Sequence, residues 1–238
     1  MKKLITWPRD IFAEGLDRPP SKASKWMPSW YKELSPYKDG SNKFSFPENG
    51  GTFATVKKCI PFLDAITAGY VFQLDQDVVV EDEIRNGEIF KVFKWQRGER
   101  NIVNSHPSFQ HFNFPLTDDF YSVAFKWDNF WTLTTPPGYS IFYMHPVNRI
   151  DLPFYTLSGF VDADAYQGTV TFPFFLKKDF TGVIPAGTPI AQGIPVKRES
   201  WELEVQKFDQ LKDIKHNYAA GVAIINFYKK FFWQRKKY

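Results

Sequence analysis

Two carboxylates lie two residues apart in the stretch LSGFVDADAYQGTV, between apolar runs that are typical of strands. Asp162 and Asp164 are enclosed by Gly159 and Gly168, which suit a tight excursion of the backbone or its close approach to another group. Tyr166 follows the pair and offers a ring that could lie beneath a sugar or a base. The stretch is therefore the first candidate for a ligand site, and turn-forming aspartates are the alternative.

Three histidines form a second candidate. His106 and His111 flank the segment PSFQ, and His145 lies in FYMHPVNR. Imidazoles brought together from neighbouring strands could hold Fe²⁺ or Zn²⁺, although residues five apart in one strand face opposite sides, so a shared metal requires a turn at Pro107. Hydrogen-bonded structural or surface histidines are the alternative. Arg149, in the loop after His145, could line a pocket or form a surface ion pair.

Short apolar or alternating runs that end at Pro or Gly would position these residues. This pattern predicts a mainly β sandwich or barrel. Asn86-Gly87 between β-prone runs predicts a hairpin turn. We expect an irregular docking arm at residues 1–58, a β-rich body at 59–199, and a tail at 200–238 that begins as a strand and continues as an amphipathic helix. Val222, Ile225, Tyr228 and Phe232 have helical spacing there.

Composition narrows the classes of protein. The net charge of +4 over 238 residues is too small to imply nucleic-acid binding, and a single cysteine fits a reducing compartment. We expect no signal peptide and no membrane span, and hence a cytoplasmic protein. No P-loop, Rossmann fingerprint or Gly-x-Ser-x-Gly motif is found, which disfavours common nucleotide kinases, dehydrogenases and serine hydrolases.

Residues 134–196 carry three ordered motifs: TTPPGYS, SGFVDADAYQG and VIPAGTPIAQ. In this order they resemble the trimeric dUTPase and dCTP deaminase superfamily. The matching residues are Pro136, Pro137, Gly138, Gly159, Asp162, Asp164, Tyr166, Gly168, Gly187, Ile190, Ala191 and Gln192. The resemblance covers about a quarter of the chain and implies a β-clip fold.

That resemblance also implies a homo-oligomer, with a trimer favoured, that binds a small nucleotide-like ligand between subunits. Asp162 would be the catalytic carboxylate, acting as general base or accepting a hydrogen bond from a sugar hydroxyl. Asp164, Tyr166, Gly159 and Gln192 would contact the ligand, and Mg²⁺ would neutralise phosphate charge.

The chain departs from the family in three places. Ala165 is an additional residue between Asp164 and Tyr166, SIFYMHPVNRIDLP replaces the phosphate-holding Arg-Ser-Gly-Leu segment, and the tail ends FFWQRKKY without a glycine-rich motif. We therefore do not expect dUTP hydrolysis, and whether the protein is an enzyme stays open.

The whole chain is also similar to an uncharacterised family of bacteria and tailed bacteriophages, through KCIPFLDAITAGYVFQLDQDV, SHPSFQ and TTPPGYS. This likeness implies a protein of the host cytoplasm or of the virion. A phage structural or assembly protein that uses the fold as a scaffold is one alternative to ligand binding. A histidine-based metal-dependent enzyme is the other.

Overall fold

A computed structural model describes residues 2–9, 18–42, 45, 48, 53–96, 101–214 and 227–236. The chain divides into two compact units. The first contains Met1–Trp26 and Gly69–Arg198, and the second contains Met27–Ala68 and Glu199–Tyr238. These bounds differ from the expected arm, body and tail, because the first and last parts of the chain each contribute to a unit that is discontinuous in sequence.

The first unit holds the strands. Their bounds are β1 Ile5–Pro8, β2 Ser21–Lys22, β3 Tyr70–Gln73, β4 Val78–Arg85, β5 Glu88–Trp95, β6 Val103–Ser105, β7 Phe125–Trp127, β8 Trp131–Thr134, β9 Tyr139–Met144, β10 Phe154–Thr156, β11 Gly159–Val161, β12 Phe172–Leu176, β13 Gly182–Ile184 and β14 Pro189–Lys197. Single 3₁₀ turns lie at Ala23–Trp26 and Ser108–His111.

Every pairing between these strands is antiparallel. Their orders are β1-β8, β10-β12-β7-β6, β11-β9-β14-β3-β2 and β13-β4-β5. The prediction of a mainly β protein is confirmed, but the described strands form open sheets and no closed barrel. Residues 5–8, expected within an irregular arm, pair with β8 instead.

The predicted hairpin at Asn86-Gly87 is formed by β4 and β5. Asn86 has φ 52° and Gly87 has φ 83°, the left-handed conformation that a type I′ turn requires at both central residues. Asn and Gly tolerate this conformation better than other residues do, so the turn fixes the register in which Arg85 lies opposite Glu88.

Aromatic side chains fill the core of the first unit. Trp127 is fully buried and stacks on Phe174 with ring centroids 4.1 Å apart, and Phe154 packs edge-on against Trp127 at 5.1 Å. These residues come from β7, β12 and β10, which are neighbours in one sheet. Burying rings of this size is the main stabilising contribution that the strands share.

The second unit is helical. Its described elements are α1 Ser29–Glu33, a 3₁₀ turn Val56–Lys58, α2 Ile60–Ile66, a helical stretch at residues 210–214 and a helix Phe227–Phe231. Tyr31 of α1 stacks on Phe62 of α2 at 5.6 Å, and the Trp233 indole donates a 2.8 Å hydrogen bond to Asp64. Val222 and Ile225 of the expected tail helix lie outside the described residues.

No helix in the described ranges is long and apolar enough to cross a membrane.

Candidate functional site

Asp162 and Asp164 belong to an ion-pair network that we call the Arg198 clasp, formed by Gly138, Ser140, Asp162, Asp164 and Arg198. The Arg198 guanidinium donates from Nη1 to Asp164 Oδ1 at 2.9 Å and to Asp162 Oδ1 at 3.2 Å, and its Nη2 also pairs with Asp164. Ser140 Oγ donates to Asp162 Oδ1 at 2.6 Å, and the Gly138 amide donates to Asp164 Oδ2 at 2.8 Å. The clasp joins the ends of β9 and β14 to the turn after β11.

The two carboxylates differ in how firmly they are held. The Asp164 side chain is 10% exposed and that of Asp162 is 65% exposed. Hydrogen bonds from Arg198 and from the Gly138 amide lower the pKa of Asp164 to about 2. Arg198 pairs with both carboxylates and so offsets the repulsion between their charges.

The geometry of the clasp predicts unequal effects of isosteric substitutions. Asp164→Asn should lower the thermal midpoint more than Asp162→Asn, since Asp164 accepts the bidentate pair and the Gly138 amide bond. A lowered pKa stabilises the fold above the unfolded value near 3.8 and loses that contribution as pH falls toward about 2. Melting curves from pH 2 to 8 should therefore converge for Asp164→Asn and wild type at the acid end. Equal midpoints for the two variants at pH 7 would contradict this assignment.

Gly159 and the Tyr166 side chain are exposed, and they lie on either side of the turn that carries Asp162 and Asp164. Gly159 pairs with Tyr143 across β11 and β9, and a Cβ added to it would meet no atom within 4 Å. The Tyr166 ring folds back over its own loop, where a Cβ on Gly168 would lie 2.5 Å from it, and its hydroxyl donates to the Thr169 carbonyl at 3.3 Å. The additional Ala165 is accommodated by a turn in which the Tyr166 amide donates to the Asp162 carbonyl at 2.8 Å.

Gln192 is buried within β14, and its Oε1 accepts a 3.0 Å hydrogen bond from the Val147 amide. Val147 lies in the loop that follows β9. Gln192 therefore does not present its side chain to solvent as a ligand contact would. It fixes the backbone of a loop that forms one wall of a cleft.

We call this cleft the Arg149 cleft. It has a volume of about 400 Å³. Its apolar wall includes Phe120, Phe142, Met144, Phe154 and Tyr155, and its polar wall includes His145, Asn148, Arg149, Ser158 and Lys177. The combination of an aromatic surface with a few polar groups is typical of small-molecule sites.

Two basic side chains, Arg149 and Lys177, line the Arg149 cleft. Arg149 is held by Asp151 through Nε at 2.8 Å and Nη2 at 2.8 Å, a bidentate pair that lowers the pKa of Asp151. The exposed Lys177 extends its ammonium to 3.3 Å from the Ile150 carbonyl. The sequence allowed Arg149 either an ion pair or a place in a pocket, and the structure shows both: the guanidinium pairs with Asp151 and lines the cleft.

His145 stabilises the polar wall of the Arg149 cleft through two hydrogen bonds. The Thr156 amide donates to its Nδ1 at 3.2 Å, which leaves Nε2 to carry the proton and donate to the Arg149 carbonyl at 2.9 Å. Burial lowers the pKa of His145, in keeping with a neutral ring that already uses both nitrogens. Its role in this geometry is to hold the Arg149 loop, and neither nitrogen is available to a metal ion.

His106 and His111 form a separate pair, with ring centroids 6.4 Å apart. The Nδ1 atoms of both rings are buried without a hydrogen-bond partner, and His111 Nε2 accepts a 3.5 Å contact from the Ala124 amide. Among the described residues, no group of three or more His, Cys, Asp or Glu side chains is placed to hold a metal ion. The three histidines are thus not assembled into the shared site that their residue types allow.

The sequence indicated Arg149 but missed the aromatic residues around it. Phe120, Phe142 and Tyr155 are spread over 36 residues and look like ordinary strand residues in a chain that is rich in phenylalanine. The only local signal was the change from apolar strand to HPVNR after β9.

No protein-family model matches this chain, and no curated protein sequence matches it.

Proposed function

We propose that this protein binds a small nucleotide-like ligand, one with an aromatic ring and an anionic group, in the Arg149 cleft. The observation that carries the proposal is the convergence of aromatic side chains and of two cations, Arg149 and Lys177, on one concave surface. The Phe142 ring, which stacks on Phe160 at 4.5 Å, and the other rings of the wall offer apolar contact to a base, and the cations offer charge-assisted hydrogen bonds to phosphate.

The Arg149 guanidinium is already oriented before an anionic group binds. Asp151 occupies its Nε and Nη2 atoms, and in the contacts described for this side chain Nη1 has no partner. A guanidinium that is already oriented loses less conformational freedom when it binds phosphate, which favours affinity. The contacts of His145 and Gln192 to the loop at 147–149 add to this preorganisation.

Lys177→Gln tests the proposal without disturbing the core, because Lys177 is exposed. Removing one charge-assisted hydrogen bond to phosphate should weaken binding by about tenfold or more. Nucleoside mono-, di- and triphosphates with Mg²⁺ are titrated calorimetrically into wild type and variant.

Lys178→Gln is the matched control, because the Lys178 side chain is exposed and does not line the Arg149 cleft. The Lys178→Gln variant should therefore bind free nucleotide with the affinity of wild type. If no nucleotide binds wild type, or if both variants bind alike, the proposal is wrong.

The finer fold and the assembly are part of the same proposal. Support for a β-clip comes from the ordered motifs of residues 134–196, and a homo-oligomer, with a trimer favoured, follows from the same likeness. Light scattering coupled to size exclusion should give a mass near three times 27.8 kDa. A monomer at high concentration would remove the trimer from the proposal while leaving the Arg149 cleft to be tested by ligand binding.

A second candidate function is assembly of a phage particle. It is favoured by the segment at residues 201–205, where Trp201, Leu203 and Val205 are 87–89% exposed and alternate with Glu202 and Glu204. A stripe of this kind suits docking onto another protein. Stoichiometric presence in purified particles by mass spectrometry would support this function, and absence from them would exclude it.

A further inference from the structure

A second concave surface lies in the first unit, and we call it the Asp118 cleft. Its volume is about 610 Å³. Its lining includes three aspartates, Asp82, Asp118 and Asp179, three hydroxyl-bearing residues, Thr117, Ser122 and Thr181, and Tyr121, together with the apolar residues Ile89, Leu116 and Phe120. Hydrogen-bond acceptors, hydroxyls and an aromatic ring in one cleft match a ligand that is rich in hydroxyl groups.

A buried cation supports this cleft. The Lys91 side chain is 1% exposed, and its ammonium pairs with Asp82 at 2.7 Å and donates to the Phe180 carbonyl at 3.0 Å. The Asp82 side chain remains 40% exposed. A lysine is rarely buried to this degree unless it is paired, and here the pair fixes one carboxylate at the cleft wall.

The two clefts share a wall. Phe120 lines both, Lys177 lines the Arg149 cleft, and Lys178 lines the Asp118 cleft. Phe120 forms a β-bridge with Lys177, and the Lys178 amide donates to the Asp119 carbonyl at 2.8 Å. The shared residue and these backbone bonds bring a cationic, aromatic cleft next to one that is carboxylate- and hydroxyl-rich.

Their juxtaposition points to a ligand with two chemically different ends. We propose that the ligand is a nucleotide sugar, with its nucleotide in the Arg149 cleft and its sugar in the Asp118 cleft. Sugar hydroxyls would donate to Asp118 and Asp179, while the diphosphate that joins the two parts would lie on the Lys177 side of the shared wall. This inference rests on the proposed function, because it assigns the nucleotide end to the Arg149 cleft.

The experiment compares each nucleotide with its sugar conjugate by calorimetry: UDP with UDP-glucose, ADP with ADP-glucose, and GDP with GDP-mannose. For at least one pair, the conjugate should bind wild type about tenfold more tightly, which corresponds to one or two added hydrogen bonds. Asp118→Asn should remove most of this gain and leave the affinity for the free nucleotide unchanged. Asp119→Asn, a substitution at the adjacent exposed carboxylate outside the cleft lining, should retain the gain.

The outcomes separate the two proposals. Binding of free nucleotides with no gain from any sugar overturns the inference and leaves the proposed function standing. A gain that Asp118→Asn and Asp119→Asn retain equally also overturns it, since the sugar would then lie elsewhere. Failure of every nucleotide and every conjugate to bind overturns both.

Discussion

Gly69→Ala is expected to lower the free energy of unfolding by about 2–5 kcal/mol, among the largest effects of any single methyl group in this chain. Gly69 has φ +67°, and a Cβ there would lie 2.2 Å from the Gly193 carbonyl oxygen and 3.0 Å from Ile194 Cγ1. The first atom is backbone of β14, a central strand of its sheet, so it cannot move aside without disturbing the ladders to β3 and β9. Urea denaturation followed by circular dichroism measures the loss.

Gly87→Ala separates the cost of the left-handed backbone from the cost of the contact with Gly193. Gly87 has φ +83°, close to that of Gly69, but a Cβ there would meet nothing within 4 Å. Only the left-handed backbone is then disfavoured, at about 1–2 kcal/mol. Equal losses in the two variants would show that the contact with Gly193 contributes nothing.

Asp75→Asn is expected to stabilise the protein by about 1–2 kcal/mol at pH 7.5. Burial raises the pKa of Asp75 to about 6, although Arg18 opposes the shift, and its Oδ1 is buried without a hydrogen-bond partner. The full shift would correspond to a larger free energy, but part of the carboxyl contacts solvent, which reduces it. Asparagine has the same shape and carries no charge to desolvate.

The pH dependence of this gain has a defined direction. A carboxyl with a raised folded pKa destabilises the fold above about pH 6, where the folded state must hold a charge. As pH falls from about 6 toward the unfolded value of 3.8, the folded state takes up a proton first and the penalty disappears. The advantage of Asp75→Asn should thus be full at pH 7.5 and nearly absent at pH 4.

Asp77→Asn is the control for Asp75→Asn. Asp77 is exposed, and its Oδ1 accepts a 2.7 Å hydrogen bond from the Ala186 amide, a role that an asparagine oxygen can also fill. Chemical denaturation at pH 4, 6 and 7.5 should show no gain for this variant at any pH. A stabilisation by Asp75→Asn that does not vary with pH would contradict burial of its charge as the cause.

Local patterns in the sequence predicted the elements whose structure depends on interactions between residues close in the chain. Asn86-Gly87 predicted its hairpin because the backbone conformation of a type I′ turn selects those residues whatever the rest of the chain does. The alternation of apolar and polar residues predicted a mainly β fold for the same reason. Neither signal says which strand pairs with which, and the pairing of β1 with β8 joins residues more than 120 positions apart.

The candidate site was predicted only in part, because it depends on such distant pairings. Asp162 and Asp164 were singled out by their spacing, yet Arg198, the residue that determines their state, lies 34 residues beyond Asp164 in a run of polar residues. Nothing in KRES indicates an ion pair. The Arg149 cleft likewise exists only once β9, β10 and the end of β12 are assembled, so that Phe120 and Lys177 reach the loop that the sequence had indicated.

The position of β14 also has a consequence for synthesis on the ribosome. β14 lies between β9 and β3, but it is the last of these strands in the chain, so β3, which already has β2 as one neighbour, must wait through roughly 115 residues of translation for β14. At typical elongation rates this interval is about 6–23 s. Phe72 of β3 and Tyr143 of β9, both buried in the finished sheet, therefore belong to a nascent chain without their central strand. We therefore expect this chain to fold more efficiently during synthesis when a chaperone binds its aromatic segments until residue 197 has left the ribosome.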